Sequence, residues 1–164
     1  MKKHLFFICP TDYLEFIINQ SFKDKNYYFT SLGNSVKFHS ETMYEIKHLI
    51  RKYDIREISF ILSNNNPIVF DALENQNFSR ISRLDDFYCE IIKHKVSSEG
   101  SWQLYNGQYL ILSYYLNERI KEFQFKLNGL FNNIKISAKI YNQQKNVFIG
   151  IYSDLISEKY LILN

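Results

Sequence analysis

Only two of the 164 residues are cysteine, and Cys9 and Cys89 lie far apart with no Cys-x-x-Cys spacing. That usage suits a reducing cytoplasm better than a disulfide-stapled secreted scaffold. Histidine is equally sparse. His4, His39, His48 and His94 show none of the HxH, HxxxH or HExxH spacings that put two imidazoles on one metal, so no metal site and no cofactor are read from the chain. No Ser or Cys nucleophile motif is present, and no glycine-rich phosphate loop. The net charge of +3 comes from interspersed acids and bases, not from a basic block, which argues against nucleic-acid and anionic-membrane partners. No apolar run approaches the length of a bilayer span. The apolar start, His4 to Cys9, is too short for a signal sequence and lacks a small-residue cleavage site, so it reads as a first strand. There is no internal repeat and no low-complexity segment.

What the chain does have is the balance of a globular protein, 46% hydrophobic and 23% charged, at a length that predicts one α/β domain over residues 1–164. Aromatics reach 17%, mostly Phe and Tyr. Together with the preference for Lys, Asn and Ile this is what an AT-rich coding sequence gives. Without a basic stripe, core or subunit interface accounts for these rings better than base stacking.

The stretch Arg56 to Leu73 organises the rest. Ile58, Phe60, Ile61 and Leu62 form a short apolar run that predicts a central strand covered on both faces. Asn64 to Asn66 break it and supply an N-cap, and Pro67 fits the first position of the following helix. Ligands of open α/β sheets bind beyond the carboxyl ends of such strands. Ser63, Asn64, Asn65 and Asn66 are therefore the first place to look for a small polar ligand, although the loop carries no His, Cys or acid.

In chain order, His4 to Cys9 predicts an interior strand ended by Pro10, with Thr11 or Asp12 capping a helix that carries Leu14, Ile17, Ile18 and Phe22. Tyr27 to Thr30 predicts a second strand, followed by a loop in which Gly33 and Asn34 can take positive φ. Ser40 opens a helix with the stripe Met43, Ile46, Leu49, Ile50 and Tyr53. Residues 80–96 read as a helix or, nearly as well, as a strand from Phe87 to Ile92. Ser97 to Gly100 reads as a connection, and a long helix follows from Gln108 to Phe131. Ile134, Ile136, Ala138 and Ile140 alternate with Lys135, Ser137 and Lys139, predicting a strand with one wet face. A turn at Asn142 to Asn146 returns through Val147 to Tyr152, and Tyr160 to Leu163 offers an edge strand. Three βα passages followed by a hairpin predict a mainly parallel sheet flanked by helices, with a C-terminal antiparallel hairpin.

This order of motifs resembles the β-class carbonic anhydrases. In that family a first strand ends in Cys-x-Asp-x-Arg, a second runs into Arg-Asn-Ala-Gly-Asn, a third ends in Gly-His-x-x-Cys-Gly, and a late strand reads roughly Gly-x-x-Tyr-Asp-x-x-x-Gly. Ile8-Cys9-Pro10-Thr11-Asp12 occupies the first place, with either Cys9 or Pro10 at the cysteine position. Thr30 to Asn34 matches the second in Gly33-Asn34, Leu62 to Pro67 occupies the third, and Ala138 to Asn142 echoes the fourth through Tyr141. The resemblance implies a zinc held by two cysteines and a histidine. Here Asn64 falls on the histidine position and Pro67 on the second cysteine, while Leu14 replaces the arginine that orients the family's aspartate. Catalytic zinc needs three protein ligands and an open position, so the resemblance implies the fold without the zinc-hydroxide chemistry.

The reading is a cytoplasmic, zinc-free, carbonic anhydrase-like binding or interaction protein, expected as a homodimer from both the resemblance and the aromatic content. Its ligand-binding candidates are Gly33, Asn34 and Ser63 to Asn66. Two other readings stay open: an enzyme of altered chemistry using Cys9 as nucleophile or Asp12 as base, and a small α/β domain unrelated to the carbonic anhydrases. For Cys9 a buried structural thiol is the simpler account, and for Asp12 a helix cap.

Overall fold

The computed structural model describes residues 1–81, 83–97, 107–127, 129 and 131–152. Among them five strands form one sheet: β1 (Lys3–Ile8), β2 (Lys25–Thr30), β3 (Glu57–Ser63), β4 (Lys135–Asn142) and β5 (Val147–Gly150), in the order β2-β1-β3-β4-β5. The first four run parallel and β5 returns antiparallel to β4. This is the mainly parallel sheet with an antiparallel margin that the hydrophobic pattern predicts. β1 and β3 are direct neighbours, pairing Leu5 with Ile58 and Phe7 with Phe60. β3 is the central strand, and Ile58 to Leu62 are buried without interruption because both faces of the sheet are covered there.

Five helices flank the sheet among the described residues: α1 (Glu15–Ser21), α2 (Ser40–Tyr53), α3 (Pro67–Leu73), α4 (Asp85–Ser97) and α5 (Gly107–Leu127). One face takes α2 to α5. There Leu5, Phe7, Ile58 and Phe60 meet Ile46 and Ile50 of α2, Val69 of α3, Phe87 of α4 and Leu112 and Phe123 of α5. The opposite face takes α1, with Phe6, Ile8 and Ile61 against Leu14 and Ile18. Phenylalanines dominate the first layer. Phe7 and Phe60 stack at 4.5 Å between ring centroids, and Phe123 meets both edge-on. Burying each such ring is worth about 1.5–3 kcal/mol, so much of the aromatic excess is core.

The helix-or-strand ambiguity at 80–96 resolves as helix. Leu84, Phe87, Tyr88 and Ile91 follow helical spacing and are all buried, whereas a strand would send Phe87 and Tyr88 to opposite faces. α2 has its stripe inward at Met43, Ile46 and Ile50 and ends at Asp54, whose left-handed backbone (φ +51) returns its N–H to the last carbonyls.

The first helix departs from expectation. Neither Thr11 nor Asp12 caps it. Pro10–Asp12 forms a short 3-10 turn, Tyr13 takes φ +52, and α1 starts only at Glu15 with no side-chain cap on Leu14. Asp12 is drawn instead toward the end of β3, as described below. Trp102, Leu130, the connection at 98–100 and the edge strand expected at 160–163 lie outside the described residues.

Candidate functional site

The carboxyl ends of β1 and β3 are bridged by one side chain. Asn34, fully buried, donates its amide to the carbonyls of Phe7 (3.1 Å) and Ile61 (2.8 Å), using both amide protons on strand-end acceptors. Two successive left-handed residues put it there, Gly33 at φ +60 and Asn34 at φ +56, and these are among the few residue types that accept that backbone cheaply. The same turn brings the Gly33 N–H to within 3.1 Å of Cys9 Sγ. A Cβ at Gly33 would stand 2.7 Å from the Phe87 ring, so any larger residue there would have to displace that ring. Tyr115 Oη of α5 fixes the turn from behind by donating to the Asn34 carbonyl at 3.1 Å. The Asn34 Oδ1 is buried without a protein donor.

Cys9 is fully buried, its sulfur occupied by the Gly33 N–H and by Thr11 Oγ1 at 3.0 Å. Asp12 lies on the other side of the strand ends. Its Oδ2 accepts the Ser63 N–H at 2.9 Å and its Oδ1 accepts the Asn66 side-chain amide at 2.9 Å. Asn66, also fully buried, accepts the N–H groups of Ile68 (3.0 Å) and Val69 (2.9 Å) through its own Oδ1 and so caps α3, with Pro67 at the first helical position. A chain of hydrogen bonds thus runs from the Asp12 carboxylate through the Asn66 carboxamide into the start of α3. Burial pushes the Asp12 carboxyl up to about 6, and the bonds from Ser63 and Asn66 oppose that shift without outweighing it.

Asn64 and Asn65 turn away from this cluster toward the β4–β5 hairpin. Asn64 donates to Gln144 Oε1 (2.8 Å) and accepts the Gln143 N–H (3.1 Å), while Asn65 donates to Gln143 Oε1 (2.9 Å). A cleft of about 300 Å³ opens between the two groups, with Asp12, Tyr13, Ile17, Ser63, Asn65 and Gln143 in its lining. The Tyr13 ring at its rim is almost wholly exposed.

The eight residues singled out in the sequence therefore divide in three. Cys9, Gly33 and Asn34 are locked together at one end, Asp12, Ser63 and Asn66 at the other, and Asn64 and Asn65 form an amide clasp with the hairpin. Gln143, Gln144 and Tyr13 are the neighbours that pattern reading does not supply, because the 142–146 segment carries only a turn signal and its pairing with residues 64 and 65 is a tertiary event.

The donor set does not fit the zinc that the resemblance implies. The Cys9 sulfur and Asp12 carboxylate are already engaged by protein donors, the Asn64 carboxamide points to the hairpin, and Pro67 has no donor atom in its side chain. Among the described residues no group of three or more His, Cys, Asp and Glu is placed to hold a metal ion. No helix among them is long and apolar enough to cross a membrane.

A mainly parallel sheet in this strand order, with the helices α2 to α5 on one face and α1 on the other, defines a β-carbonic anhydrase-like fold. Solved structures bear this out. The chain is similar to a tetrameric β-carbonic anhydrase of the filamentous ascomycete Sordaria macrospora, with a TM-score of 0.71 at 10% identity over 91% of this chain and 80% of that one. It is similar to a variant of the β-carbonic anhydrase CafD of the filamentous fungus Aspergillus fumigatus, with a TM-score of 0.72 at 11% identity over 93% and 90%. CafA of Aspergillus fumigatus gives 0.67 at 12% identity over 98% and 80%. No family model matches the sequence, and neither does any curated protein. The likeness is one of fold, in a degenerate form in which the family's zinc-ligand motifs are not retained.

Proposed function

We propose that this protein is a zinc-independent, carbonic anhydrase-like binding module. Its strand-end crevice is held shut by protein hydrogen bonds, and its cleft beside Asp12 takes a small polar ligand or a partner's side chain. The observation that supports this most directly is the Asp12–Asn66 pair, which joins the first strand's end to the start of α3 by a direct hydrogen bond of 2.9 Å. The cleft lining of carboxamides, hydroxyls and one half-buried acid suits a neutral hydrogen-bonding ligand. Self-association as a homodimer belongs to the same reading, as does a cytoplasmic location, for which the exposed free thiol of Cys89 is an argument. Metal analysis with a CO2-hydration assay tests it: the purified protein is expected to carry no stoichiometric zinc and to show no hydration above background. Stoichiometric zinc with hydration activity overturns the proposal.

One observation favours a second reading, altered acid–base chemistry centred on Asp12. A carboxyl raised to about 6 beside a cleft has the protonation range of a general acid or base. Cys9, buried and already hydrogen-bonded, is the weaker of the two catalytic candidates.

A further inference from the structure

The cleft of about 300 Å³ beside Asp12 has one aromatic ring standing free at its rim and hydrogen-bonding groups of both kinds in its walls. Tyr13 is 84% exposed, so its ring packs against little of the protein. Its backbone lies in the left-handed region (φ +52, ψ +39), which bulky residues avoid. The fold gains little from a tyrosine there, while the cleft gains an open ring face. On the polar side, printed contacts bring the groups together. Asn65 donates its amide to Gln143 Oε1, which leaves Asn65 Oδ1 as an acceptor and the Gln143 amide as a donor, both on exposed side chains. Ser63 Oγ accepts the Asn65 N–H at 3.2 Å and keeps its hydroxyl proton to give. Each Asp12 oxygen holds one donor and has a second lone pair. Among the described residues that line the cleft there is no Lys, Arg or His.

Resting on the reading of this cleft as a ligand site, we propose that it binds one sugar ring, with the ring's C–H face laid on Tyr13 and its hydroxyls on Asp12, Ser63, Asn65 and Gln143. Sugar hydroxyls each donate and accept, and the walls offer both. The C–H groups on one face of a pyranose are weakly positive and meet the negative face of an aromatic ring. The sugar is also uncharged. With no cation in the lining, an anionic ligand would find only the repulsion of Asp12. Tyr141, the other ring of the lining, is buried, so a flat heteroaromatic base would find one platform and no slot. The volume sits at the small end of the range for ligand pockets, roughly 300–1,000 Å³, and has room for one ring rather than a chain of them.

The methyl glycosides of glucose, galactose and mannose serve as probes against the full-length protein. Glycerol, with hydroxyls but no ring face, and choline, a cation suited to an acid and an aromatic ring, serve as controls. Binding is followed through the ring resonances of Tyr13 and the side-chain amide resonances of Asn65 and Gln143. At least one glycoside is expected to bind with a Kd of about 10 mM or tighter and to shift all three residues, with glycerol and choline at least about tenfold weaker. Tyr13→Ala is expected to melt as the wild type does, its ring being exposed, and to lose at least about tenfold in affinity. Tyr13→Phe keeps the ring and is expected to keep most of the affinity. The proposal is overturned if no glycoside binds that tightly, or if either control comes within about tenfold of the best one. It is also overturned if Tyr13→Ala loses less than that, or if Tyr13→Phe loses as much as Tyr13→Ala. Should Tyr13→Ala melt early, the wild-type shifts decide alone, and a bound glycoside that leaves the Tyr13 ring unmoved overturns the site. A zinc-free protein that binds no glycoside removes the sugar and leaves the binding module standing with another ligand, whereas zinc with hydration activity overturns both.

Discussion

Asp12 and Asn66 meet side chain to side chain at 2.9 Å, and through that contact a carboxylate at the end of β1 is tied to the first free N–H groups of α3. Asn66 does two jobs with one carboxamide, accepting from the helix and donating to the acid. Its replacement by alanine removes both. Asn66→Ala is expected to destabilise the fold by about 2–4 kcal/mol, the sum of a lost cap and a buried acceptor left short of a donor. Urea unfolding midpoints measure it, and a loss below about 1 kcal/mol would show the pair to be incidental.

Two of the groups that shift most, Asp12 and His4, act on the pH dependence of stability in opposite directions. Asp12 has its carboxyl raised from 3.8 to about 6 by burial, so the folded chain holds that proton more tightly and Asp12 takes stability away as pH rises from about 4 to 6. His4 is lowered from 6.5 to about 4 because its buried ring resists charge, so it takes stability away as pH falls from about 6.5 to 4. Each is worth about 3 kcal/mol at full effect, and they cancel over much of the same window. Their joint contribution to the wild-type profile is expected to be shallow there. Asp12→Asn should make stability rise with pH, and His4→Gln should make it fall. Parallel profiles for both variants across pH 4–6.5 would contradict these assignments.

Gly33 cannot be enlarged without moving Phe87. Gly33→Ala places a methyl 2.7 Å from that ring at a backbone φ of +60, and a loss of about 2 kcal/mol or more is expected. Truncating the ring should relieve the steric part. In a double-mutant cycle with Phe87→Leu the two changes are expected to couple by at least about 0.5 kcal/mol, and strict additivity would place the cost in the backbone alone.

The two thiols differ in access. Cys89 is exposed and Cys9 is fully buried. Alkylation of the native protein followed by mass measurement should give one adduct, on Cys89, and two only after unfolding. Rapid native labelling of Cys9 would revive it as a nucleophile.

Much of the sheet was legible because apolar runs such as Ile58 to Leu62 and the alternation from Ile134 to Ile140 report burial directly. The Asn66-Pro67 helix start was legible for the same local reason, since cap and proline act within their own turn. Asp12 was misplaced as a helix cap because its partners, Ser63 and Asn66, sit more than fifty positions away in the chain, and no local pattern encodes them.

The pairing of Phe60 with Ala138 places β3 beside a strand that is made only after the whole of α3, α4 and α5 has been synthesised. Until that late segment leaves the ribosome, one side of the central strand has no hydrogen-bonding neighbour and presents bare amides and carbonyls next to Phe60 and Leu62. The nascent chain therefore passes through a stage in which an apolar edge of its sheet lies open to other chains until β4 closes it.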